Sequence, residues 1–288
     1  MRIVASLIAS LVVLPGLAAA QERPSAPEAA LPDGPPPAGQ RGDSYTIGAG
    51  IIYLPDYQGS DDYRIIPGGA FRADIGDIEL QTKGLKLYAE LMPDSDEQVS
   101  FTAGTIVGVR FGRDGVEDPV VDQLDNTGTA IEVGGFAGIS ISGITNPYDN
   151  VTARIEVVRD VNGAHDSFVV TPAIDLSTPL SRATFVSLGF SLDIVGDNYA
   201  DTYFGVTPAE AAEIPELAAY DPDGGGVKSW GATLVVGHSL EGDIRGGWSL
   251  FGLAGYSRLL GDFAASPLVA ERGSADQFIA GGGIGYSF

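Results

Sequence analysis

The sequence predicts an all-β fold: a closed antiparallel barrel of about twelve strands, with ten as the alternative, of the type that spans a bacterial outer membrane. Three observations carry this. The segment Phe278 to Phe288 alternates strictly, with Phe278, Ala280, Gly282, Ile284, Tyr286 and Phe288 on one face and little but Gly and Ser on the other. Successive side chains of a strand point to opposite faces, so this segment is apolar and aromatic-ended on one side only. The same pattern recurs upstream, its apolar face bracketed by aromatics eight to ten residues apart, the spacing of an outward apolar band about 25 Å tall between two aromatic girdles. Finally, no apolar run after residue 20 approaches the roughly 18 residues of a membrane helix.

Taken in order, the chain opens on Arg2, a short apolar run from Ile3 to Leu14, and Ala18-Ala19-Ala20. This is the pattern of a secretory signal peptide, expected over residues 1–20 and placing the protein outside the cytoplasm. No cysteine is present, which excludes disulfides, thiolate chemistry and cysteine metal sites. Residues 21–43 hold Pro24, Pro27, Pro32, Pro35, Pro36 and Pro37 among small and polar residues. Such a segment has too little to bury to offset its ordering entropy, and is expected to be a disordered periplasmic arm.

The barrel is expected over residues 44–288. Its strands are read as 45–54, 64–75, 77–83, 84–91, 99–111, 130–142, 151–160, 167–176, 183–195, 227–240, 247–259 and 276–288. The first carries Tyr45, Ile47, Ala49, Ile51 and Tyr53 on one face; the fifth carries Phe101 to Phe111, and the eleventh Trp248 to Tyr256, in the same way. The short pair meeting at Lys83-Gly84 is counted as two strands because bacterial barrels hold an even number. With the last residue periplasmic, the long connections 112–129, 196–226 and 260–275 fall outside and the short ones inside, which is the usual asymmetry. Within the second of these, Thr207-Pro208-Ala209-Glu210 has the cap, first-turn Pro and capping-box Glu of a helix start.

The faces opposite the apolar ones carry the charges. Those expected to point into the lumen are Lys86, Glu90, Arg110, Glu132, Arg154, Glu156, Asp175 and Asp193, three basic against five acidic, a balance of −2. Their mixture predicts pairing across the lumen that plugs it, and any open path through such a set would prefer cations. A formal charge of −22 argues against a nucleic-acid partner, since such binders are basic. Most of the acid lies in loops, at Asp61-Asp62, Asp118 to Asp125 and Asp221 to Asp223; none of these runs has EF-hand spacing, so they read as solvated loops rather than a metal site.

Nothing points to catalysis, and no cofactor is expected. His165-Asp166-Ser167 are consecutive, whereas triad members converge from separate elements. His238, the other histidine, shares a face with Trp230, Ala232, Leu234 and Val236, where an amphipathic ring suits the membrane boundary.

Several stretches together resemble the MipA/OmpV family of outer-membrane proteins. They are Tyr53-Leu54-Pro55-Asp56-Tyr57-Gln58-Gly59-Ser60-Asp61-Asp62-Tyr63, Arg110-Phe111-Gly112-Arg113-Asp114, Tyr203-Phe204-Gly205-Val206, Tyr256 to Asp262, Ser266 to Val269, and Gly285-Tyr286-Ser287-Phe288. At Gly163-Ala164-His165-Asp166-Ser167 the sequence keeps the first Gly and the His of the family's Gly-Gly-His-x-Gly but not the other two glycines. The resemblance implies a non-enzymatic barrel, with a scaffolding role between the lytic transglycosylase MltA and a murein synthase. Osmotic response, adhesion and small-solute passage are other roles it implies. Expected partners are therefore outer-membrane lipid and lipopolysaccharide, the outer-membrane assembly machinery and murein enzymes. Tyr286 and Phe288 are expected to form the assembly signal. A narrow cation-preferring pore is the competing function.

Overall fold

A computed structural model describes residues 10–11, 43–92 and 97–288. The expected leader and Pro-rich arm therefore lie, apart from Ser10, Leu11 and Asp43, outside the described residues. Twelve antiparallel strands form the barrel: β1 (Ser44–Pro55), β2 (Tyr63–Ile75), β3 (Ile78–Lys83), β4 (Lys86–Glu90), β5 (Val99–Arg110), β6 (Ala130–Ser142), β7 (Asn150–Asp160), β8 (Phe168–Pro179), β9 (Thr184–Val195), β10 (Gly226–Ser239), β11 (Gly247–Leu259) and β12 (Asp276–Ser287). Each pairs with its neighbour in sequence, and β12 closes on β1 through the register Ala280↔Tyr53 to Ser287↔Thr46. Two further bonds finish the seam, Tyr45 N–H to the Phe288 carbonyl at 3.0 Å and Phe288 N–H to the Tyr45 carbonyl at 2.9 Å. Closure of β12 on β1 removes the two sheet edges that would otherwise face lipid at that seam. The Lys83-Gly84 pair is two strands, and the count is even. Ser10–Leu11 add a two-residue parallel pairing to Gly68–Gly69 that is not part of the ring.

The alternation sorts the side chains as the backbone requires. Ile51, Phe101, Val107, Ile155, Leu188, Phe190, Leu250 and Phe278 are exposed outward, while Thr102, Glu156 and Ser187 on alternate positions are buried inside. Aromatic rings meet between strands at both rims. Tyr53 stacks on Tyr63 at 4.7 Å, and Trp230, Tyr256 and Phe278 form a run at 5.3 Å spacings. At the other rim are Trp248 with Tyr286 at 5.0 Å and Tyr45 with Phe288 at 5.7 Å. The inner face of β12 carries glycine because its neighbours fill the space: a Cβ on Gly283 would run into the Ala49 carbonyl of β1 and lie 2.6 Å from the Phe251 ring of β11.

The two ends differ in the length of their connections. At one end the turns are short, as at residues 76–77 and 180–183; at the other lie 111–129, 196–225 and 260–275. By the usual asymmetry the long-loop end is the outer one. Its loops hold four helices, α1 (Asp197–Phe204), α2 (Pro208–Glu213), α3 (Gly261–Ala265) and α4 (Pro267–Ala270). The start of α2 is the capping box: Thr207 accepts from the Glu210 N–H, and the Glu210 carboxylate accepts from the Thr207 N–H at 2.8 Å.

Candidate functional site

The outer loops fold inward and pack an apolar core against the wall at the mouth of the barrel. Tyr199, Ala200, Tyr203 and Phe204 of α1 are buried against Ile106, Phe136, Val158, Val169 and Val195 of the wall, and against Phe263 and Val269 of the last loop. A second cluster among the outer loops joins Tyr57, Val121, Leu124, Val206, Ile214, Leu217 and Leu268. Each fully buried large side chain contributes about 1.5–3 kcal/mol relative to leaving it in water, enough in aggregate to hold loops against a barrel mouth. Polar groups fix the plug in place. Arg113 Nη1 and Ser266 Oγ donate to the carbonyls of Tyr203 and Phe204, at 3.2 and 2.6 Å, satisfying the helix end that has no partners of its own. Tyr199 donates to Gln58 Oε1 at 2.6 Å.

The acidic loops are only partly solvated. Asp61, Asp122, Asp125, Asp221 and Asp223 are exposed, but Asp118 is buried, accepting from the N–H groups of Val120 and Val121 at 2.7 and 3.1 Å and from Arg272 Nη2 at 2.7 Å. Burial alone would raise its pKa; the two backbone N–H groups and the Arg272 guanidinium outweigh burial and hold the carboxyl below the ordinary range. The solvated reading fails at Asp118 because a cation 154 residues away in sequence folds onto it.

Beside this core lies a cavity of about 1260 Å³, lined from the outer loop at Asp56, Tyr57, Gln58 and Gly59 to the short turns at Asn146, Ser181 and Asp243. All eight of the inward charges named from the sequence line it. Most are brought together in pairs along the wall. Lys86 and Arg154 share Glu156 at 3.1 and 2.8 Å, with Tyr88 donating to the same carboxylate at 2.8 Å, and Arg154 also pairs with Asp175. Arg110 binds Glu132 in a fork at 2.8 and 3.1 Å, a geometry that fixes both side chains. His165, in the stretch that departs from Gly-Gly-His-x-Gly, is buried with Nε2 3.3 Å from Glu132. Its turn is made by Gly163 and Asp166, at φ 76° and 49°, and tied by Asp160, which accepts from the N–H groups of Asn162, His165 and Asp166.

Two expectations change here. The charges pair off, but along the wall, and a cavity remains between them, while an apolar core packs at the outer end. The inward balance of −2 is also incomplete, because nine basic and nine acidic side chains line the cavity. Lys228 is one of those missed; it meets Asp193 at 3.0 Å. Inward alternation on 227–240 was its available signal, since Lys228 sits opposite the outward-facing Val227. The lower wall is lined by hydroxyls and amides that bond one another, such as Ser140 with Thr152 at 2.8 Å and Ser177 with Ser187 at 3.0 Å. His238 is exposed at the rim, 2.9 Å from Thr184 Oγ1. Among the described residues, no cluster of three or more His, Asp or Glu side chains is arranged to hold a metal.

Solved structures with the same kind of fold include an outer membrane channel from Pseudomonas putida F1, 12% identical, covering 91% of this chain and 100% of that one, with a TM-score of 0.44. The outer membrane channel DcaP of Acinetobacter baumannii is 10% identical, covers 86% of this chain and 96% of that one, and has a TM-score of 0.39. No curated protein sequence matches the chain significantly. The family model described as MltA-interacting protein MipA matches residues 47–288, the whole barrel from the first strand to the last residue, and the chain belongs to that family.

Proposed function

We propose that this outer-membrane barrel is a non-enzymatic scaffold that presents its periplasmic side to a murein-remodelling enzyme. The observation that supports the reading is the apolar core that α1 and the last loop pack against the inner wall at the outer end. A mouth lined by packed aromatics has no charged ring through which to pass an ion, and pore function depends on such a lining. The equal count of basic and acidic side chains also removes the basis for a cation preference. The family's description, MltA-interacting protein, supports a lytic transglycosylase as the partner class. Tyr286 and Phe288 stack at 6.0 Å on the periplasmic rim, exposed to lipid, and act in this reading as the assembly signal.

The test is electrical and biochemical together. The purified barrel should show no steady conductance in a planar bilayer, and should retain a lytic transglycosylase on an affinity column. Replacing Tyr199 and Phe204 by Ala should open steady channels without loss of retention. Steady channels from the unaltered barrel, or no retention of the enzyme, would overturn the scaffold reading. Deleting residues 21–43 then locates the contact: weaker retention assigns it to the arm, and unchanged retention to the short turns.

A further inference from the structure

The barrel wall is incomplete on one side. β2 is 13 residues long, but β3 and β4 have only 6 and 5, and β3 pairs with β2 only from Arg72 to Ile75. Their turn, Lys83-Gly84-Leu85, ends within the height of the wall, held to β5 by the Val109 N–H to Leu85 carbonyl bond at 3.0 Å. The ladder with β2 ends on a side chain: Thr82 Oγ1 accepts from the Phe71 N–H at 3.4 Å and donates to the Phe71 carbonyl at 3.3 Å. Above that point, among the described residues, no barrel strand pairs with this side of β2.

Phe71 faces the gap with its backbone, so by alternation Gly69, Pro67 and Ile65 do too. Pro67 has no N–H to leave unsatisfied, and proline in sheets is confined to such edges. The top of the gap is spanned by Arg64, whose guanidinium lies 5.3 Å from the centre of the Phe111 ring. An extended backbone fits within the opening, since Ser10–Leu11 pair with Gly68–Gly69 there and lie beside β4. The opening beside β2 is therefore at least one strand spacing wide, about 5 Å.

Behind the opening, the lumen presents polar groups without partners. Gln81 is 7% exposed, and its Oε1 has no hydrogen-bond partner; nor has Arg64 Nε, although Arg64 Nη1 lies 3.5 Å from Asp56 Oδ1. Among the described residues Lys83 meets no carboxylate at ion-pair distance, and its ammonium rests 5.3 Å from the centre of the Tyr88 ring. All three side chains line the cavity. Outside, Ile65 and Leu87 are exposed and apolar.

We infer that this gap is a lateral port between the cavity and the outer half of the membrane, and that it takes a single-chain amphiphile with an anionic, hydroxyl-bearing head. The tail stays in lipid beside Ile65 and Leu87. The head's negative charge sits against Lys83, and its hydroxyl donates to Gln81 Oε1. A port that opens on lipid rather than water carries no steady ion current, so it stands or falls separately from the scaffold reading.

The absence of native cysteine makes the port directly testable. A fluorophore on Gln81→Cys and another on Ser191→Cys, which lines the cavity from β9, are compared in vesicles whose lipids carry brominated acyl chains. Quenching at position 81 with little at 191 is expected; equal quenching at the two would overturn the port. The head assignment is tested in an uncharged detergent with lysophosphatidylglycerol and, as the uncharged control, monolauroylglycerol. Lys83→Gln should weaken lysophosphatidylglycerol binding about tenfold and leave the control unchanged. An unchanged affinity for both, or no binding by the parent barrel, would overturn the anionic-head assignment.

Discussion

The two ends of this barrel are built from the same alternating strands but are finished in opposite ways. At the outer end, α1 and the last two helices bury Tyr199, Phe204, Phe263 and Leu268 in a loop core that has no lipid contact. At the periplasmic end the turns are short, the lumen is lined by hydrogen-bonded Ser, Thr and Asn, and the aromatics lie on the rim facing outward. The outer end is thus stabilised as a soluble protein is, by removing apolar surface from water. The periplasmic end depends on ladder closure and on lipid. One sequence supplies both because the lumen and the bilayer are different solvents for the same strand.

The largest expected effect lies at the periplasmic end. Deleting Phe288 removes the last pair of bonds at the β12–β1 seam and the ring stacked on Tyr45 and Tyr286. The protein should then accumulate unassembled in the periplasm, read by fractionation and heat-modifiable migration. Normal levels of folded barrel in the membrane would mean that closure is decided elsewhere.

Both ends share one lipid-facing wall. Leu188 faces outward at mid-strand and Ser187, beside it, is buried inward. Leu188→Arg should cost about 2–4 kcal/mol, as charges near the bilayer midplane do. Ser187→Arg faces the cavity and should cost much less. A folding titration into lipid vesicles compares them, and equal costs would show that the faces are misassigned.

The smallest effect is specific to the outer end and depends on pH. Because the folded pKa of Asp118 lies below its unfolded value of about 3.9, its contribution is complete above that value. It is lost as pH falls through the folded pKa. Asp118→Asn should remove about 1 kcal/mol from loop docking, less than a buried charged hydrogen bond because Arg272 is partly exposed. Pepsin cleavage within 111–129 should therefore rise in the parent as pH drops below about 4, and the variant should lose that dependence. An identical pH profile in the two proteins would take Asp118 out of the plug's stability.

Much of this molecule was legible because alternation is a local property. The aromatic brackets at Tyr45 and Tyr53, or Trp248 and Tyr256, place strand ends without knowledge of any partner, and the capping box at Thr207 is read from four residues. The wall charges were legible as a face but not as pairs. That Asp193 meets Lys228 follows from the β9–β10 register, in which Asp193 stands opposite Ser229 next to a register shift.

Residue order alone is enough to establish that the chain forms a barrel, its strand number to within two, which side chains meet lipid and which end carries long loops. Period-two alternation and loop length suffice for that, because a strand's two faces are set by its own backbone. The apolar core at the outer end belongs instead to the assembled fold. Asp197 to Phe204 reads as an acidic, polar loop, and its Tyr199, Tyr203 and Phe204 become a core only where seven strands of the wall and the last loop surround them. The gap above β3 and β4 has the same origin. Two short strands are visible in the sequence, but whether they leave the wall open depends on where they pair along β2 and β5, and that is fixed by contacts distant in the chain.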